Sequence, residues 1–120
     1  MKKLLIIEDE KELGAIYAKF LRSSGFQVEC TETAEAAVDL AHKFAADLIL
    51  LDHGLAGGKD GIESIPNLKK NFPKAKIVLF SNYSAYEMED KAIKAGADAY
   101  WVKLDIRLKE LAERVGKFIG

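Results

Sequence analysis

The stretch Asp47-Leu48-Ile49-Leu50-Leu51-Asp52 decides the fold. Its four consecutive apolar residues are too few for a helix and are bounded by carboxylates, which predicts a strand buried on both faces of a sheet. A glycine-rich loop without an apolar period follows at residues 53–61. Asp52 is therefore expected at the carboxyl end of a central strand, the edge at which open α/β sheets bind their ligands.

Length and composition are those of one ordinary globular domain. The 120 residues, 49% hydrophobic and 31% charged, suffice for a single core and argue against disorder. A net charge of −1 provides no basic field for nucleic acid or an anionic membrane. No apolar run approaches the ~20 residues of a membrane span, and Cys30 has no cysteine partner for a disulfide or a zinc site. The apolar run near the amino terminus is too short for a secretion signal, so we expect one cytoplasmic domain over residues 1–120.

Four other strands alternate with helices along the chain. Strands are predicted at residues 4–7, 26–30, 48–51, 76–80 and 99–102, and an amphipathic or capped helical segment follows each of them. This alternation indicates an α/β fold, a parallel sheet with helices on both faces.

Capping residues and helix breakers predict where the helices begin and end. Gly25 is placed for a left-handed cap after the first helix, and Thr33 can cap a second helix that runs to about Phe44. Pro66 complicates the third helix, because proline removes an amide donor and clashes one turn back. That helix is expected either to start near Ser64 or to bend at Pro66.

The last two helices have clearer signals. Ser84-Ala85-Tyr86-Glu87 fits a capping box that opens a helix ending at Gly96. Asp105 can cap the final helix, and Trp101 on the fifth strand is expected to pack against that helix.

Polar residues end four of the predicted strands. The first strand ends in Glu8-Asp9, the central strand in Asp52, the fourth in Ser81 and the fifth in Lys103. Three carboxylates at one edge of a sheet are costly unless a cation joins them, so the cluster indicates a site. In this order and on these elements, the set resembles the receiver domain of two-component response regulators, of the single-domain chemotaxis type, over the whole chain.

The resemblance implies a doubly wound (βα)5 fold with the flavodoxin-like strand order 2-1-3-4-5. It implies that Asp52 takes a phosphoryl group from a histidine kinase or phosphotransfer protein, and that Lys103 pairs with Asp52 and then with the phosphoryl oxygens. Ser81 would donate its hydroxyl to the phosphoryl group. Tyr100, at the aromatic switch position of these domains, would then move inward and remodel the face formed by the fourth helix, fifth strand and fifth helix.

Mg²⁺ is the cofactor that the resemblance implies, since an all-oxygen site suits this ion. Its expected ligands are Asp9, Asp52 and the backbone carbonyl of Gly54, with Glu8 acting directly or through water. Besides the phosphoryl donor, an unidentified output protein is the expected partner, and a phosphorylation-dependent dimer is left open. Direct contact with nucleic acid or membrane is not expected, nor is turnover of other substrates.

The loop after Asp52 departs from the family pattern. Ala56 replaces a proline and Gly61 stands one position late, so Gly57-Gly58-Lys59 carries an extra residue and should make the loop more flexible. Gly54 offers no side chain to shield a phosphoryl group, which should leave Asp52 accessible to water or to a phosphatase.

Two residues next to the candidate site residues are also unusual. Leu104 replaces the proline that usually follows the lysine, so a trans Lys103–Leu104 peptide and an altered loop are expected, because a non-proline cis bond costs ~3–4 kcal/mol. His53, next to Asp52, is expected to be an exposed loop histidine, with a pH-dependent modulator or a metal ligand as alternatives.

Three other functions remain open at this point. A degenerate receiver would bind partners without phosphorylation. A phosphohydrolase working through an aspartyl phosphate would need a general acid for which the sequence offers no strong candidate. A flavin-binding protein shares the layer order, but the acidic loop after the first strand would repel the flavin phosphate.

Overall fold

The computed structural model describes residues 1–54, 61–82 and 85–120, with the backbone alone at residues 85–87. One parallel sheet has the strand order β2-β1-β3-β4-β5, as the resemblance implied. Its strands are β1 (Lys3–Ile7), β2 (Gln27–Thr31), β3 (Leu48–Leu51), β4 (Lys76–Ser81) and β5 (Ala99–Val102). The helices are α1 (Lys11–Ser23), α2 (Ala34–Leu40), α3 (Gly61–Asn71), α4 (Ala85–Ala95) and α5 (Leu108–Ile119).

The sheet separates two apolar clusters, because strand side chains point alternately to opposite faces. The first cluster joins one face of the sheet to α2, α3 and α4. The second joins the other face to α1 and α5, and there the Trp101 ring packs edge-on against Phe118 at 5.5 Å, as predicted. None of the helices described is long and apolar enough to cross a membrane.

Strand register brings the ends of β1 and β3 together at the centre of the sheet. Ile7 pairs with Leu51, and the ladder continues one step further, where the Asp52 amide donates to the Ile7 carbonyl at 2.9 Å. Glu8 and Asp52 therefore leave the sheet side by side. The chain changes direction of winding between β1 and β3, which is where doubly wound sheets place their ligands.

Helix caps at three positions follow the sequence. Thr33 Oγ1 accepts from the Ala36 amide at 3.1 Å and caps α2. Gly25 and Gly96 have φ values of 101° and 118° after α1 and α4, a left-handed conformation in which a side chain would be strained.

Three helix boundaries differ from those predicted. α2 ends at Leu40 rather than near Phe44, because bonds such as Ala41 amide to Val38 carbonyl tighten the last turn before the chain enters β3. α3 begins at Gly61 and continues through Pro66, so the alternative of a start near Ser64 is wrong, whereas the alternative of a bend at Pro66 stays a prediction.

The start of the last helix is also corrected. Asp105 does not cap it but lies in a short 3-10 helix, Lys103–Asp105, and α5 begins at Leu108 after Arg107. This 3-10 turn connects β5 to α5 at the point where the family pattern has a proline after the lysine. The proposed cap Ser84 and the Gly57-Gly58-Lys59 insertion lie outside the described residues.

Candidate functional site

A lysine lies between two carboxylates at the carboxyl edge of the sheet. Lys103 Nζ donates a hydrogen bond to Asp52 Oδ1 at 3.0 Å and another to Glu8 Oε1. Lys103 is 8% exposed and Glu8 only 3%. Charges buried to this degree are tolerated when they are paired and hydrogen-bonded, as these are.

The connection after β5 allows this contact without the family's proline. All peptide bonds among the described residues are trans, so the Lys103–Leu104 bond is trans as expected. The short 3-10 helix begins at Lys103 itself and leaves Leu104 81% exposed. Lys103 thus reaches Asp52 despite the altered loop.

Glu8 is the most strongly perturbed acid of the cluster. Burial raises its pKa to about 7, against the opposing effect of its hydrogen bond with Lys103. Glu8 Oε2 also accepts from the Glu10 amide at 3.2 Å, at the start of α1. The sequence suggested a metal ligand at this position, whereas the structure also makes Glu8 a direct partner of Lys103.

Asp52 and Lys103 have perturbed pKa values as well. Burial raises the pKa of Asp52, Lys103 opposes that rise, and the nearby Asp9 carboxyl adds to it through a side-chain hydrogen bond. Burial lowers the pKa of Lys103, but hydrogen bonds with Glu8 and Asp52 outweigh burial and leave that pKa raised. Lys103 therefore stays an ammonium while its carboxylate neighbours hold protons more tightly than usual.

The acidic residues fit a divalent cation. Glu8, Asp9 and Asp52 each offer an oxygen, and these oxygens lie within 4.8 Å of one another. A bound cation would offset the repulsion between the neighbouring carboxylates of this cluster. Hard carboxylate oxygens are the ligands that Mg²⁺ and Ca²⁺ prefer.

Backbone packing fixes the start of the loop after Asp52. The Gly61 amide donates to the His53 carbonyl at 2.6 Å, and a Cβ on Gly61 would come within 2.2 Å of the Asp52 carbonyl oxygen. Gly54 is exposed, and no described residue outside its chain neighbours would come within 4 Å of a Cβ added there. His53 is half-buried rather than exposed, which corrects the expectation from the sequence.

Ser81 and Tyr100 form a pair of their own. Ser81 is the last residue of β4 and is 1% exposed. Its side chain is hydrogen-bonded to that of Tyr100, whose pKa burial raises. Tyr100 is only 7% exposed, so the ring already lies inside the protein.

Sequence reasoning missed the aromatic ring next to the lysine. The Lys103 ammonium lies 5.7 Å from the centroid of the Phe80 ring. Strand alternation could have indicated this contact, as well as the Glu8–Lys103 pair. Phe80 faces the second cluster, and Glu8 and Lys103 each follow a residue of that cluster by two positions.

Comparison with known proteins agrees with this arrangement. The family model described as the response regulator receiver domain matches residues 4–116. The transcriptional regulatory protein TctD of Salmonella typhimurium is 34% identical over 118 residues, which is 93% of this chain and 52% of that protein. The chain therefore spans about half the length of this curated relative.

Solved structures share the whole fold. A CheY-like receiver domain from Methanospirillum hungatei superimposes with a TM-score of 0.88 at 25% identity, over 99% of this chain and 94% of that one. A Burkholderia pseudomallei response regulator with a phosphorylated aspartic acid, a calcium ion and citrate gives 0.83 at 25% identity, over 98% and 72%. The BeF3-activated DrrB receiver domain also gives 0.83, at 26% identity over 98% and 97%.

Proposed function

The chain belongs to the receiver-domain family of response regulators, and from this premise we propose that Asp52 is its phosphoacceptor. The observation that carries the proposal is the hydrogen bond from buried Lys103 to Asp52. A carboxylate oxygen of Asp52 would form a bond to phosphorus, while the bond between phosphorus and the donor's histidine nitrogen breaks and its electron pair leaves with the nitrogen. This transfer depends mainly on positioning and on charge neutralisation, which the paired ammonium supplies.

Lys103 would then pair with the negative charge of the phosphoryl group. A phosphoryl group adds up to about two negative charges, and the ammonium already hydrogen-bonded to Asp52 is within reach of them. Charge-assisted hydrogen bonds of this kind are about twice as strong as neutral ones. Glu8 would hold the lysine in place while Asp52 changes from carboxylate to acyl phosphate.

A divalent cation, Mg²⁺ by our proposal, would be held by Asp9 and Asp52, with Glu8 directly or through water and the Gly54 carbonyl as further ligands. When bound, it would neutralise the oxygens of the transferring group. The support is the close spacing of the three acidic oxygens. A calcium ion is present in the phosphorylated Burkholderia pseudomallei regulator.

The switch would be an exchange of partners by Ser81. Its hydroxyl now bonds Tyr100 and would turn to the phosphoryl oxygen, which leaves the Tyr100 hydroxyl without that partner. Because the Tyr100 ring is already buried in this structure, we propose that the change is in its hydrogen bond with Ser81 and not in an inward movement of the ring. The output would be an altered surface of α4, β5 and α5, read by a partner protein or by a second copy of the chain.

Residues 1–120 would form one receiver domain that takes its phosphoryl group from a histidine kinase or phosphotransfer protein in the cytoplasm. The domain would act as an acceptor that loses its own phosphoryl group by hydrolysis, and it would not turn over other substrates. Regulation of transcription, the activity in the name of the TctD relative, would need the rest of a longer protein. For residues 1–120 themselves, the proposed output is the binding of a partner protein.

Intact mass spectrometry with acetyl phosphate and Mg²⁺ tests the proposal. We expect one phosphoryl adduct that requires both the metal and Asp52, and that is absent from Asp52→Asn. Asp47→Asn is the matched control, since Asp47 lies at the other end of the same strand and should leave the adduct intact. Absence of an adduct, together with no response of Trp101 fluorescence to beryllofluoride and Mg²⁺, would favour the phosphorylation-independent binding module instead.

A further inference from the structure

The ring of Phe80 forms the apolar wall against which the Lys103 ammonium lies. Its centroid is 5.7 Å from Lys103 Nζ, and the two residues are 3% and 8% exposed. A cation within about 6 Å of a ring centroid is attracted by the negative face of the ring, and the attraction grows when both are removed from water. Burial of both groups should therefore strengthen this contact relative to one on the protein surface.

Alternation along the strands puts the ring in this place. Phe80 belongs to the apolar cluster on the α1 and α5 side of the sheet, as do Ile6, Leu50 and Trp101. Glu8, Asp52 and Lys103 each follow one of those residues by two positions. The three charged groups thus lie on the same face of the sheet as the Phe80 ring.

A second aromatic residue fixes the orientation of the ring. Tyr17 of α1 packs edge-on against Phe80, with the ring centroids 5.4 Å apart and an interplanar angle of 67°. Edge-to-face pairs of this geometry add to the stability of a core beyond the area they bury. Helix α1 therefore supports the ring from the side.

We propose that Phe80 is a positioning residue for Lys103, acting through the face of its ring; the inference rests on the proposed phosphoryl transfer to Asp52. Lysine has a long flexible stem and a compact charge, and one of its two carboxylate partners, Asp52, changes charge and shape during the reaction. Like the hydrogen bond to Glu8, the attraction of the ring face is one that the transfer leaves unchanged. It would keep Nζ beside Asp52 before and after the phosphoryl group arrives.

Graded fluorination of the ring separates this role from simple packing. Fluorine weakens the negative face of phenylalanine while its shape is nearly kept, so we would place mono-, di- and trifluorophenylalanine at position 80. The initial rate of phosphorylation by acetyl phosphate should fall stepwise with each fluorine, and Phe80→Leu should be roughly tenfold slower than the unaltered protein, in line with a desolvated cation–π contact. A rate that is independent of fluorine number would overturn the proposal.

Phe44 provides a matched control elsewhere in the fold. It is 6% exposed and carries Lys3 Nζ at 5.8 Å from its ring centroid, but it belongs to the other apolar cluster. The same fluorinated series and Phe44→Leu should leave the phosphorylation rate unchanged. An equal loss at both positions would mean that general destabilisation, not the contact with Lys103, slows the reaction.

A second readout does not depend on phosphorylation. The ring current of Phe80 should displace the NMR shift of the Lys103 ε-methylene protons, and Phe80→Leu should return that shift toward the value of a free lysine. If the unaltered protein takes no phosphoryl group while this shift changes, the proposed function fails and the contact stands. An unchanged shift would overturn the positioning role whatever the phosphorylation result.

Discussion

A buried glutamate dominates the electrostatics at the scale of single residues. Glu8 is 3% exposed and its pKa is raised from 4.5 to about 7, chiefly because burial penalises its charged form. Lys103 offsets this penalty only in part. The folded protein therefore binds a proton at Glu8 more tightly than the unfolded chain does, and this difference links folding to pH.

Glu8 should make the metal-free protein less stable as the pH rises. Between the two pKa values the folded state holds the proton and the unfolded state does not, so the free energy of unfolding falls with pH across that window and levels off above about pH 7. We expect a loss of about 2–3 kcal/mol between pH 5 and pH 8, at about 1.4 kcal/mol per pKa unit. Urea unfolding in EDTA at several pH values measures this loss.

Glu8→Gln should remove most of that pH dependence, since glutamine does not titrate. The raised pKa of Asp52 acts in the same direction, so a smaller slope should remain. Glu29→Gln is the control, because Glu29 is an exposed acid of β2 and its loss should preserve the slope. Stability that is flat or rising from pH 5 to pH 8 in the unaltered protein would contradict this account of Glu8.

At the scale of elements, the sequence predicted the strands better than the helix ends. β3 and β5 have the predicted bounds, because the polar residues that flank a short apolar run mark where the strand begins and ends. The end of α2 and the start of α5 were misplaced, because the chain must turn toward the next element there and local capping signals do not encode that turn. Asp105 is an adequate cap by type, yet it lies in the turn that begins at Lys103.

Side-chain pairing was harder to predict than the set of residues at the sheet edge. The sequence identified Asp52 and Lys103 as neighbours, and the structure shows their hydrogen bond. It did not identify the Glu8–Lys103 pair or the Phe80 ring, since these depend on which face of the sheet each side chain occupies beyond the strand end. Alternation along each strand indicates that face, but which side chains come into contact depends also on the register of the four strands together.

Gly61, at the start of α3, should tolerate no side chain. A Cβ would lie 2.2 Å from the Asp52 carbonyl oxygen and 3.2 Å from His53 Cα, so Gly61→Ala must displace the backbone that carries Asp52. We expect a loss of about 1–3 kcal/mol in the free energy of unfolding and slower phosphorylation by acetyl phosphate. Urea unfolding and the initial rate measure the two effects.

Gly116→Ala in α5 is the matched substitution. Its nearest neighbour would be Phe26 Cζ at 3.9 Å, an ordinary contact, so the change should stabilise the protein by about 0.4–1 kcal/mol by restricting the unfolded chain. Its phosphorylation rate should not change. If Gly61→Ala behaved like Gly116→Ala, the close approach of α3 to the Asp52 backbone would be refuted.

At the scale of the whole molecule, the acidic edge of the sheet connects its two cores. Lys103 lies on the Phe80 ring of the α1 and α5 side, whereas Ser81 is bonded to Tyr100, which belongs to the α2, α3 and α4 side. An anion formed on Asp52 would attract both the Lys103 ammonium and the Ser81 hydroxyl. Both clusters would then respond to one chemical event, which is how a local charge can shift a two-state equilibrium of the fold.

Binding of a divalent cation should therefore stabilise the fold as a whole, and more at high pH than at low pH. An ion that binds the folded state alone raises the free energy of unfolding by about 2.7 kcal/mol at one hundred times its Kd. Below pH 7 the ion must displace the proton that Glu8 retains, because burial raises the pKa of Glu8 to about 7, so its apparent affinity falls. We expect Mg²⁺ to raise the melting temperature clearly at pH 8 and little at pH 6. Asp9→Asn should abolish the rise and Asp47→Asn should preserve it; an equal rise in Asp9→Asn would place the ion away from the carboxylate cluster.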